Sequence, residues 1–234
     1  MLKNFMRFAT PGSHDVLVEH FDEQVLLIKC AWGGQAIAMT FRPPSAGLPS
    51  DATLETMYAK AKKKNPDLTL EDYKQVFGSK YRQTLEEVHS VLDSLDQHFP
   101  AAKGRDISME GIVWHQGWND GTNRAFAEEY ESNMLHFVRD IRKALDNEEL
   151  PFVIATSGMG GPDATGVAGY LAKGIEPAQV AAADQLDHCI AVPTRHFQRH
   201  QPGRQKSHWY NSAESYCLVG DAAAQAMLKL LGEE

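Results

Sequence analysis

Gly111-Ile112-Val113-Trp114-His115-Gln116-Gly117-Trp118-Asn119-Asp120 decides how the rest of the chain is read. Gly111 to Trp114 is a short apolar run and reads as a strand buried on both faces. It passes without a break into a polar cluster with glycine at its centre. Polar groups directly behind a buried strand are costly unless they find partners, so the cluster needs a reason. One reading is chemical: the amide of Gln116 or Asn119 can donate an N–H to a developing oxyanion. The other is a plain strand-to-helix turn, in which Asn119 or Asp120 caps the helix that follows.

Strands and helices alternate on both sides of this stretch. Val25-Leu26-Leu27-Ile28-Lys29-Cys30-Ala31 is another buried strand, ending before Gly33-Gly34. Pro151 to Thr156 and Cys189 to Pro193 are two more. Apolar residues recur at helical spacing through Tyr81, Leu85, Val88, Leu92, Leu95 and Phe99. They do so again through Phe126, Tyr130, Met134, Val138, Ile141 and Leu145. A last helix is predicted from near Asn211, with Glu214 in capping-box position, to about Leu231. Alternation of this kind implies one α/β domain over residues 1–234, with a parallel sheet covered by helices on both faces. Ligands in such sheets bind beyond the carboxyl ends of the strands. Three loops fall there: Trp32-Gly33-Gly34-Gln35, Gln116 to Asp120, and Ser157-Gly158-Met159-Gly160-Gly161.

Composition narrows the function classes. The 234 residues are 43% hydrophobic and carry a formal charge of −8, the wrong sign for a polyanion partner, so nucleic acid is not expected. The basic run Lys60 to Lys64 reads as a solvated helix end. Cys30, Cys189 and Cys217 are too few for a disulfide framework and lack Cys-x-x-Cys spacing; Cys30 and Cys189 read as small core residues. No apolar stretch reaches about 18 residues, so no membrane span is predicted. His196, His200 and His208 have no acidic neighbours and no motif around them, so neither a metal nor a cofactor is expected.

Four stretches together resemble the sialate O-acetylesterase-type carbohydrate esterases, a branch of the SGNH hydrolases. They are Trp114 to Asp120; Phe21 to Lys29 with Ala31-Trp32-Gly33-Gly34; Phe41-Arg42-Pro43-Pro44-Ser45; and His208-Trp209-Tyr210-Asn211-Ser212-Ala213-Glu214-Ser215. They occur in the family's order and span nearly the whole chain. The resemblance implies a three-layer α/β/α, flavodoxin-like parallel sheet and an acetylated carbohydrate as substrate. It implies that Gly34, or else Gly33, gives a backbone N–H to the oxyanion. Gln116 gives a side-chain amide, with Asn119 the alternative because Gly117 to Asp120 also fits the broader Gly-x-Asn-Asp block. His208 becomes the general base that activates a serine. Trp32 and Trp118 can stack on a sugar face or simply pack. Trp118 stands where the commoner block has Glu, so no role of that Glu carries over.

Two parts of the family's machinery are missing. No carboxylate lies in Gly203-Arg204-Gln205-Lys206-Ser207, just before His208. No Gly-Asp-Ser or Gly-Gln-Ser-Asn block occurs anywhere, so no nucleophile is assigned. Ser13, in Gly12-Ser13-His14-Asp15, reads as a helix N-cap, and Ser157 sits at the right edge of the sheet but in the wrong place for the family. The serine-bearing strand belongs between the Trp-Gly-Gly strand and the Trp-x-Gln-Gly strand. The expectation is a fragment that begins after that strand and has little or no hydrolase activity, with two strands facing a gap. A gap filled by N-terminal residues, or strands closing up, are the other outcomes. A non-catalytic, glycan-binding relative is the alternative function. The compartment is left open.

Overall fold

The computed structural model describes residues 2–7, 13–199 and 207–233. Five parallel strands form one sheet in the order β2-β1-β3-β4-β5. They are β1 (Leu2–Arg7), β2 (Gln24–Lys29), β3 (Ile107–Trp114), β4 (Phe152–Ala155) and β5 (Cys189–Val192). The four strands read from the apolar runs are all present. β1 is the addition, and it takes the central place: Leu2 to Arg7 pair with Gln24 to Lys29 on one side. On the other side Leu2 pairs with Ile107 and Arg7 with Val113, with a bulge between Asn4 and Phe5.

The expected gap is therefore corrected. The family's serine block is absent from the sequence, yet the position between β2 and β3 is occupied by a strand that carries no serine. The physical reason is pairing: two interior edges facing a vacancy leave rows of backbone N–H and C=O groups without partners. Any strand of matching length relieves that cost. Of the three expected outcomes, the strands show the gap filled by N-terminal residues.

Successive residues of the central strands serve two cores, as the two-residue period of a strand requires. Ile112, Trp114, Phe152 and Ile154 face one layer, where they meet α4 (Ser79–Asp93), α5 (Tyr130–Ala144) and α6 (Glu176–Asp184). Val113 and Val153 face the other. There they meet Leu17 and Phe21 from α1 (Ser13–His20) and its connection, and Ala223, Ala224 and Met227 of α7 (Ala213–Leu231). The helices α2 (Asp51–Lys62) and α3 (Leu70–Gln75) form a satellite cluster around Leu54, Tyr73 and Phe77. Helix α5 shows why the pattern reads so clearly. Tyr130, Met134, Phe137, Val138 and Ile141 fall on one stripe and all are inaccessible to solvent.

Three helical expectations shift at their ends. The pattern from Tyr81 to Phe99 breaks at Ser94, whose hydroxyl bonds the Ser90 carbonyl at 2.6 Å. A single further turn, Leu95–His98, precedes Pro100, and Phe99 is half exposed rather than core. The pattern from Phe126 likewise divides at Glu129, whose carboxylate takes the Arg42 guanidinium at 2.8 Å. The N-cap of α7 is Ser212, which accepts from Ser215 N, and not Asn211. Glu214 makes no capping box; it pairs with Arg199 at 2.7 Å. The lysine run does end α2, with Lys62 to Lys64 exposed. Cys30 is buried, Cys189 is half-buried and Cys217 is exposed, and burial pushes the Cys30 thiol up to about 11. Among the described residues no helix is long and apolar enough to cross a membrane.

Candidate functional site

All five strands are parallel, so their carboxyl ends share one edge of the sheet. A cleft of about 320 Å³ opens there. It is lined by the loop after β2 (Trp32 to Gln35), the stretch after β3 (His115 to Asn119), Met159 from the loop after β4, His208 from the segment leading into α7, and Tyr216 of α7 itself. The structure thus brings Gly34, Gln116, Asn119, His208, Trp32 and Trp118 to one cleft. Residues 8–12 lie outside the described residues, as do His200 and Gly203 to Lys206.

The loop after β2 reaches the loop after β3 through one buried carboxylate. Asp120, with no solvent exposure, accepts the Ile37 and Ala38 N–H groups at 3.0 Å each and the Gln116 amide at 2.6 Å. Burial raises its carboxyl to about 6, against the lowering effect of those donors. Gln116 gives its second hydrogen to the Gln35 carbonyl at 3.0 Å. Both amide hydrogens of Gln116 are thereby engaged on the scaffold. No hydrogen bond engages the Asn119 side chain among the described residues. Its amide nitrogen lies 3.8 Å from where a Cβ on Gly34 would sit. Gly34 itself is left-handed (φ 72°), a conformation glycine adopts freely, and no side chain stands between its backbone and the cleft.

Beneath the loop lies a polar network that reaches no solvent. The Gln116 carbonyl accepts the Tyr130 hydroxyl at 2.9 Å, the Ser157 hydroxyl at 2.9 Å and the Gln179 amide at 2.8 Å. Gln179 returns its carbonyl oxygen to Ser157 N at 2.8 Å. Burial, and then the Asp120 charge, push the Tyr130 phenol far up, so it stays a neutral donor. Ser157 is fully buried in this network and does not line the cleft. Ser13 opens α1.

His208 is exposed at the cleft rim, and no carboxylate bonds its ring among the described residues. His115, by contrast, is buried. Its Nδ1 donates to the Ala155 carbonyl at 3.0 Å and its Nε2 accepts the Trp209 indole N–H at 3.1 Å. Burial lowers its pKa, which suits a neutral ring held between one acceptor and one donor. Trp32 carries the Lys80 ammonium 4.8 Å from its ring centroid and lies 6.0 Å from Phe41. Among the described residues no group of three or more His, Cys, Asp or Glu is gathered for a metal.

The sequence reading missed Asp120 as the tie between loops, and missed Gln179, Tyr130 and the His115–Trp209 pair. One signal was available. Gln179 is the only amide in Glu176-Pro177-Ala178-Gln179-Val180-Ala181-Ala182-Ala183, where a long polar side chain among alanines implies a buried partner.

Comparison with known proteins agrees with this architecture. A protein from Arabidopsis thaliana superposes with a TM-score of 0.56 at 18% identity, over 92% of this chain and 65% of that one. A carbohydrate acetylesterase from Xanthomonas citri gives a TM-score of 0.48 at 16% identity, over 91% of this chain and 38% of that one. The chain therefore spans less than two thirds of either relative. No curated protein matches the sequence. The family model for carbohydrate esterases described as sialic acid-specific acetylesterases matches residues 6–229. With nearly its whole length matched, the chain belongs to this family of carbohydrate acetylesterases.

Proposed function

We propose that the cleft receives an O-acetylated carbohydrate, with the acetyl carbonyl oxygen between the Gly34 N–H and the Asn119 amide. His208 then stands on the leaving-group side as the base of a serine-type deacetylation. The observation that carries this reading is the pairing of an unencumbered glycine N–H with an uncommitted amide 3.8 Å from the glycine's missing Cβ. Gln116 serves the same oxyanion indirectly, by fixing the loop on which Asn119 rides. Trp32 and Trp118 offer apolar faces to a pyranose ring.

A nucleophile completes such a reaction, and the described lining of the cleft has no serine, threonine or cysteine. Binding of the acetylated sugar is therefore expected to exceed turnover. Calorimetric titration with an O-acetylated oligosaccharide and with its deacetylated form is the test. The acetylated form should bind more tightly, and Asn119→Ala should weaken it by about tenfold, the loss of one hydrogen bond to the carbonyl. Equal affinity for the two forms would remove the acetyl group from the reading. Fast hydrolysis of an aryl acetate, abolished by His208→Ala, would overturn the expectation of little turnover.

A second reading is a non-catalytic glycan binder, which needs neither a serine nucleophile nor a carboxylate on His208, and neither stands at the cleft among the described residues. It predicts that Asn119→Ala leaves affinity unchanged while Trp118→Ala reduces it. Glycine substitutions separate the two further. Gly33 has nothing within 4 Å of an added Cβ, so Gly33→Ala is expected to fold and bind like the parent. Gly34→Ala costs about 1 kcal/mol for its left-handed backbone and projects a methyl toward Asn119, which should abolish any preference for the acetylated form.

A further inference from the structure

The backbone that carries His208 is unusual. His208, Trp209, Tyr210 and Asn211 have φ values of 57°, 52°, 54° and 57°. Residues other than glycine visit this left-handed region singly, because Cβ crowds the following carbonyl. Four in succession persist only where the surroundings impose them, and such strain gathers at functional sites.

The constraint can be traced atom by atom. Trp209 is completely buried, and its ring lies nearly parallel to that of His115, 23° between planes, with the centroids 6.0 Å apart. An indole N–H can only donate. It points at His115 Nε2 from 3.1 Å, so that nitrogen must carry no proton. The other ring nitrogen, Nδ1, must then hold the hydrogen that reaches the Ala155 carbonyl at 3.0 Å. On the far side, Ser212 N donates to the Trp209 carbonyl at 2.9 Å and closes the turn into α7. The last residue of β4, the residue after β3 and the left-handed turn are thus joined in one line that ends next to His208.

We propose that His115 and Trp209 are positioning residues: a single-tautomer imidazole fixed to β4 holds the indole, and the indole holds the left-handed turn that presents His208 to the cleft. The benefit to chemistry rests on the reading of His208 as the base, but the mechanical claim does not. His115 also lines the cleft, but both its ring nitrogens are engaged, by the Ala155 carbonyl and the Trp209 indole, and its effect on His208 passes through Trp209. Burial disfavours its charged form, which preserves the bare Nε2 that the indole needs.

The test uses the full chain with no sugar or ester present, so failure of ligand binding cannot be confused with failure of this proposal. Long-range proton–nitrogen NMR of the histidine rings, with His208 assigned by His208→Ala, should find His115 neutral and protonated at Nδ1. The Trp209 indole N–H should be protected from exchange. Trp209→Phe keeps the aromatic packing and deletes the donor; His115→Phe deletes the acceptor. In both variants the His208 ring signals should move toward those of an unstructured histidine, and in His115→Phe indole exchange should accelerate by about tenfold or more. Unchanged His208 signals in the two folded variants would overturn the proposal. If neither variant folds, the unsubstituted chain still decides: His115 protonated at Nε2, or doubly protonated at pH 7, is incompatible with it.

Discussion

Replacing Asp120 with alanine is expected to destabilise the fold by about 3–5 kcal/mol, because it strips three donors of a buried acceptor at once. The Ile37 and Ala38 N–H groups and the Gln116 amide all converge on this carboxylate at 2.6–3.0 Å, and Asp120, Ile37 and Ala38 are buried. In a chain of this size that loss lowers the melting temperature by roughly 10 °C. The effect is not confined to stability. Asp120 is the side chain through which the loop bearing Gly34 is held against the loop bearing Asn119. Once it is removed, the two halves of the proposed oxyanion pocket are no longer at a fixed spacing. Thermal melting by circular dichroism checks the first consequence, and loss of preference for the acetylated sugar checks the second. A melting temperature within a few degrees of the parent would show that the three donors find other partners.

The same carboxyl gives a pH dependence of definite sign. Its folded value, raised by burial to about 6, lies above the ordinary value of 3.8. The native state therefore takes up this proton more readily than the unfolded chain does. The stability the group contributes is fully present below pH 3.8 and is lost as pH rises through about 6. A shift of this size corresponds to roughly 3 kcal/mol across the window. The stability difference between the parent and Asp120→Ala should accordingly be larger at pH 4 than at pH 7.5. His115 acts in the opposite direction. Its value is lowered by burial, so the stability it contributes is present above the ordinary histidine range and is lost as pH falls below it. Comparing Asp120→Ala with His115→Phe across pH 4–7.5 separates the two contributions.

These residues also mark where the sequence is legible and where it stops. The apolar runs of β4 and of the end of β3 announce strands buried on both faces, which have no polar positions to hide the pattern; β2 and β5, read as buried too, are edge strands and only partly covered. Helix α5 announces itself through five core residues on one stripe. Those signals are local, and so is the polar block behind β3, which lines the cleft at the carboxyl ends of the strands. β1 has no such signature: Leu2-Lys3-Asn4-Phe5-Met6-Arg7 mixes charge and apolar residues, and only two neighbouring edges in need of partners make it a strand. The division of labour between Gln116 and Asn119 is equally invisible locally. Either amide fits the proposed oxyanion by type, and the two differ in the structure because Gln35 and Asp120 claim both hydrogens of Gln116. Partners 4 and 81 residues away in sequence decide it. The relay from Ala155 through His115 to Trp209 spans 40 and then 94 residues, and periodicity cannot report contacts of that kind.

Gly158→Ala is expected to be the other severe substitution, at about 3 kcal/mol or more, and its cause is backbone rather than side chain. An added Cβ would lie 2.3 Å from Arg195 N and 2.5 Å from Arg195 Cα. A rotamer change can relieve a clash with the end of a flexible side chain, but no rotamer moves a peptide nitrogen. The loops after β4 and β5 must separate instead. They are sewn together by the Thr194 hydroxyl, which donates to Thr156 O at 2.6 Å and accepts from Gly158 N at 3.2 Å. Arg195 adds hydrogen bonds to Gly161 O at 2.5 Å and, from Nε, to the Glu176 carboxylate at 3.0 Å. Overpacking against fixed backbone breaks several of these buried bonds together, which places the cost at the upper end of what a single methyl causes. Gly33→Ala, with open space around it, is the matched control in which the same chemical change should cost nothing measurable. Met159, the next residue, lines the cleft, so the damage should extend to the site. Equilibrium denaturation by urea measures the loss. An unchanged midpoint for Gly158→Ala would mean that the two loops are not held as close as the Arg195 contacts require.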